Sequence, residues 1–104
     1  MYLVHASLCG PPGAHLPDTV AESTLALALP HERVEHVVAH PHARPHPVLG
    51  VFLLADGLTQ AEERTAELCR RAIRTCAGLG EWRLVKAEVP LLDRHALLPA
   101  PGVD

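Results

Sequence analysis

Aromatic side chains are scarce in this chain: Tyr2, Phe52 and Trp82 are the whole set, 3% of 104 residues. Proteins that grip single-stranded RNA stack bases on aromatic rings, so the scarcity argues against that mode of recognition. Positive charge is short as well. The formal net charge is −3 and Lys86 is the sole lysine. A phosphate backbone or an anionic membrane rewards a dense basic patch, so neither nucleic acid nor a membrane surface is expected as a partner. Cysteine is limited to Cys9, Cys69 and Cys76, an odd number with no CxxC pair. That pattern fits free thiols in a reducing compartment and not a disulfide framework. No run approaches the roughly 18 consecutive apolar residues of a membrane span, and "MYLVHASLCG" lacks the basic segment of a signal peptide. A cytoplasmic location is therefore expected.

What is present is apolar material for one core, 48% of residues hydrophobic and 20% charged, in a length that suits a single domain. The basic residues are nearly all arginine, and alanine, leucine, proline and histidine abound. This is the composition of GC-rich coding DNA, so part of the histidine and proline count reflects coding drift and not chemistry.

Along the chain, "YLVHASL" (2–8) is an apolar run ended by the turn-forming "CGPPGAHLP", which predicts a strand and a loop. "PDTVAESTLALALP" predicts a short helix, with Thr19 and Glu22 spaced as a capping box and Pro30 as its stop. "ERVEHVVAH" (32–40) and the continuously apolar "VLGVFLLAD" (48–56) read as strands joined by a "PHARPHP" hairpin. A second helix is predicted over 58–76. Thr59 and Glu62 form its capping box. Ala61, Thr65, Leu68, Ala72, Ile73 and Cys76 make its apolar stripe, and Glu63, Glu67, Arg70, Arg71 and Arg74 its solvated face. Cys69 sits near the stripe as a small core residue. "WRLVKAEVPLL" (82–92) alternates like a last strand.

This βαββαβ order resembles the ferredoxin-like superfamily, in particular its small stand-alone members that pair sheet to sheet as dimeric α+β barrels. The resemblance covers residues 1–92 as one domain, leaves 93–104 as a C-terminal tail, and rests on element order. It implies an α+β fold: a four-stranded antiparallel sheet, two helices on one face, and the strands at 2–8 and 48–56 in the middle. It also implies a homodimer whose open sheet faces enclose a cavity holding the working residues.

Strand alternation puts Tyr2, Val4, Ala6 and Leu8 on one side and Leu3, His5 and Ser7 on the other. The first set suits the core. His5 and Ser7 then stand on the open face, as acid or base and as its polar neighbour in an enzyme reading. The plainer reading is a polar histidine tolerated at a wet interface. On the next strand, Val34, His36, Val38 and His40 share a face, with His36 and His40 about 13 Å apart.

Cys9, His15, His36 and Trp82 are the ligand-binding candidates. Cys9 and His15 flank the loop before the first helix, where free N–H groups can hold an anion. Metallochaperones of this fold carry MxCxxC in that loop, and this chain has one thiol there. His40, His42 and His46 are the residues a metal site would use. The prolines between them hold preceding residues extended and spread the side chains, so a rigid exposed spacer is expected, with no metal and no cofactor. The function expected is an accessory module binding a small molecule or a protein through the open face. The alternatives are a cofactor-free enzyme working through His5 and a histidine-rich metal-binding module.

Overall fold

The computed structural model describes residues 1–90. Four strands and two helices follow in the order β1 (Tyr2–Cys9), α1 (Val20–Ala26), a 3₁₀ turn (Pro30–Glu32), β2 (Val34–His40), β3 (Val48–Leu53), α2 (Leu58–Thr75) and β4 (Arg83–Glu88). All strand pairs are antiparallel, in the order β2-β3-β1-β4. Element order and strand order together resemble the ferredoxin-like α+β arrangement, although α1 is short. The expected 93–104 tail, and the end of the expected last strand, lie outside the described residues. No described helix is long and apolar enough to cross a membrane.

The core forms where alternation meets the helix stripe. Val4, Ala6 and Leu8 of β1, with Leu49, Val51 and Leu53 of β3, are at most 1% exposed and face Ala61, Leu68 and Ala72 of α2. Each leucine so buried stabilises the fold by about 2–3 kcal/mol. Cys69 belongs to the same layer, and burial pushes its thiol up to about 12, which leaves it uncharged and unreactive at neutral pH.

Several local expectations are corrected. The Thr19–Glu22 capping box does not form: Thr19 already has turn dihedrals (φ −94°, ψ 8°) and its side chain caps nothing. The helix stops at Ala26 because Leu29, preceding Pro30, is forced extended (φ −92°, ψ 152°). The Thr59–Glu62 box is absent too. Gly57 is the N-cap, so the cap sits two residues earlier. Gln60 accepts the Asp56 N–H at 2.7 Å, while Glu62 accepts from the Val89 N–H at 3.2 Å and ties α2 to the end of β4.

Glu32 does not open the second strand. It closes the 3₁₀ turn, and Arg33, in the left-handed region at φ 55°, separates it from β2. Nor is Arg71 part of a solvated face. Its guanidinium bridges the Glu32 carboxylate at 2.8 and 3.0 Å and also donates to the Leu27 carbonyl at 3.1 Å. The Leu29 N–H donates to the same carboxylate at 2.8 Å. Burial alone would raise the Glu32 pKa. The Arg71 and Leu29 hydrogen bonds and the Arg71 charge outweigh it and hold the carboxyl below its ordinary range. Apolar periodicity carries no information about such a pair, because its partners are 39 residues apart.

A register shift between Val34 and His36 is the last correction. Glu35 is the extra residue of a bulge, so Val34 packs against the core while His36 stays on the opposite face.

Candidate functional site

With both helices on the other side, the residues left on the open sheet face fall into three cross-strand rows. Paired positions place His36, Phe52 and Leu3 in the first row. Val38, Gly50, His5 and Glu88 make the second, and His40, Val48, Ser7 and Lys86 the third. His5 on β1 and His40 on β2 are not on neighbouring strands, since β3 runs between them. Their rings nevertheless approach to 5.9 Å between centroids, tilted by 57°. Gly50 is the β3 residue between them. A Cβ built there would lie 3.4 Å from Leu3 Cδ1, 3.6 Å from His40 Nε2 and 3.8 Å from His5 Cδ2. A larger side chain would extend between the two imidazoles. A lone glycine within an apolar strand marks such a close approach.

The 41–47 connection folds along one end of this face, and the Leu8 N–H donates to the Pro47 carbonyl at 2.9 Å. Beneath it lies an open hollow of about 550 Å³ lined by His5, Ala39, His40, His42, Arg44 and Val48. A second hollow of about 330 Å³ is lined by Ser7, Lys86 and Glu88 and shares His5, Arg44 and Val48 with the first. The two make one trough with Arg44 at its lip. Lys86 and Glu88 pair at 3.0 Å. Arg44 is exposed and makes no hydrogen bond or ion pair among the described residues.

Of the sequence candidates, His5 and Ser7 line this trough, and Ser7 is 9% exposed. The others are elsewhere. His36 lies at the far end of the face beside Phe52, ring centroids 6.1 Å apart. Cys9 ends β1 with its thiol directed at the Gly10 carbonyl, 3.8 Å away, and His15 is exposed in the following loop. Trp82 precedes β4 instead of opening it and packs in the core at 6% exposure, with its indole against Gly10, where any side chain would overlap the ring. The edge of that indole reaches a separate hollow of about 260 Å³ beside Pro11 and Glu81. Among the described residues no three His, Cys, Asp or Glu side chains gather closely enough to hold a metal ion.

Gly50 and Arg44 are the positions that sequence reasoning passed over. The glycine had a signal, as an interruption of "VLGVFLL"; the arginine, between two prolines, had none.

Chemically, the trough offers imidazole groups, a guanidinium with no partner among the described residues, and an apolar lining from Pro41, Ala43 and Val48. Comparisons of the chain with protein-family models, with curated proteins and with solved structures return no match.

Proposed function

We propose that this chain is a small binding module of the dimeric α+β barrel type, acting in the cytoplasm as a homodimer and taking a small molecule or a protein partner on the open face of its sheet. One observation carries the reading: the trough that His5, His40 and Arg44 line lies on the only sheet face without helices among the described elements. Val38, Val48 and Phe52 stand on that face half-buried, and a second subunit would remove their remaining apolar surface from water. Free thiols at Cys9, Cys69 and Cys76 suit a reducing compartment. Light scattering on the purified chain at tens of micromolar tests the assembly. A dimeric mass is expected, and a monomer at that concentration overturns the homodimer.

The approach of His5 to His40 favours a second reading, a cofactor-free enzyme. In it His5 is the general acid or base and Ser7 orients substrate, since histidine is the side chain most often used to move a proton in catalysis. His5→Gln keeps size and hydrogen-bonding capacity but removes the titration. In an enzyme the variant folds as before and loses about 10² to 10⁴ in rate. An enzyme that kept its rate would exclude His5 as the acid or base.

A further inference from the structure

We infer that the trough selects a ligand carrying a carboxylate on an apolar body, with the carboxylate at Arg44 and the body against Pro41, Ala43 and Val48. This rests on the reading of the open face as a binding surface and adds the chemical class it takes. Charge is the first argument. The Arg44 guanidinium sits at the junction of both hollows and has no partner among the described residues. Among the described residues Glu88 is the one carboxylate lining the trough, and Lys86 already engages it at 3.0 Å. A guanidinium presents a planar fork of N–H donors that matches a carboxylate in two parallel bonds. His40 and His42 add N–H donors beside it.

Shape is the second argument. The larger hollow has an apolar lining in Pro41, Ala43 and Val48. His5 and His40, with ring centroids 5.9 Å apart, stand beside that lining. A volume of about 550 Å³ lies within the range of small-molecule sites, roughly 300–1,000 Å³. A phosphate fits less well. It carries up to two negative charges, whereas among the described residues the trough has one unpaired permanent cation, because Lys86 is held by Glu88.

The test titrates the full chain with 2-naphthoate and with neutral 2-naphthamide, following the Gly50 amide and the His5 and His40 ring signals by NMR. The acid is expected to move these signals and to bind at least tenfold more tightly than the amide. Arg44→Gln, an exposed change that leaves the core intact, should erase that tenfold difference. If the amide binds in the trough as tightly as the acid, or if the preference survives in Arg44→Gln, the carboxylate assignment falls while the open face stands as a binding surface. If neither probe perturbs Gly50, His5 or His40 up to millimolar concentration, the inference falls, and the small-molecule form of the functional reading falls with it.

Discussion

Replacing Arg71 by Met leaves the Glu32 carboxylate, 1% exposed, with the Leu29 N–H as its one remaining donor among the described residues. Two charge-assisted hydrogen bonds disappear, at 2.8 and 3.0 Å, together with the bond to the Leu27 carbonyl. Breaking a fully buried ion pair costs about 3–5 kcal/mol, and the 21% exposure of the Arg71 side chain calls for a discount for solvent screening. The carboxyl can also escape by taking a proton. From an ordinary pKa of 4.5, neutralising it at pH 7 costs about 3.4 kcal/mol at 1.36 kcal/mol per unit, which bounds the charge part of the penalty. A loss of about 2–4 kcal/mol at pH 7 follows.

The pH dependence has a definite sign. In the parent the folded pKa of Glu32 is lowered, so its stabilisation is complete above pH 4.5 and is lost as pH falls from there through the folded value. In Arg71→Met burial dominates and the folded pKa rises above 4.5, so the variant gains stability as pH falls through that raised value. The gap between the two proteins must therefore narrow on acidification. Urea unfolding at pH 7, 5.5 and 4 measures it, and Glu32→Leu combined with Arg71→Met should recover much of the loss by replacing the pair with packing. A gap under about 1 kcal/mol at pH 7, or one that does not change with pH, would refute the assignment of this pair as a buried clamp between α2 and the 3₁₀ turn.

Gly50→Ala should be accepted in both fold and site, because its Cβ meets only ordinary contacts, whereas Gly50→Val should push the His5 and His40 rings apart. The valine variant is expected to keep its stability within about 1 kcal/mol, as β-propensity offsets crowding on an open face, while naphthoate binding is lost. Thermal melts and histidine ring NMR check both, and an unchanged His5–His40 signature in Gly50→Val would sink the account of the His5–His40 approach. Replacing His42 and His46 together by Gln should alter stability by no more than about 0.5 kcal/mol and leave metal content unchanged; loss of a stoichiometric metal ion in that variant, measured by elemental analysis of untagged protein, would restore the metal-binding reading.

The element order, the two central strands and the core face of β1 were legible because each depends on local period. Val4, Ala6 and Leu8 alternate, and Ala61, Thr65, Leu68 and Ala72 recur every three or four residues. The capping boxes were misread because a Thr followed three residues later by a Glu also occurs where another residue caps, as Gly57 does for α2. Val34 was misplaced because a bulge inserts one residue and inverts the alternation on one side of it. Half of the candidate site was visible in advance, His5 and Ser7, since a strand period assigns their face. Trp82 was not, since a single aromatic before a strand has no period to place it.

By itself, then, the sequence determined quantities that are local or summed: one apolar core, a net charge of −3, strands and helices in βαββαβ order, and which side of β1 His5 occupies. Tertiary structure alone decided the contacts between residues far apart in the chain. Arg71 reaches Glu32 across 39 positions. His40 meets His5 across a strand that belongs to neither, and Arg44 comes to rest at the lip of a trough whose floor is laid by β3. Periodicity tells each residue which way to face along its own element. Strand order and the fold of the 41–47 connection set the distance between faces, and no local pattern encodes that distance.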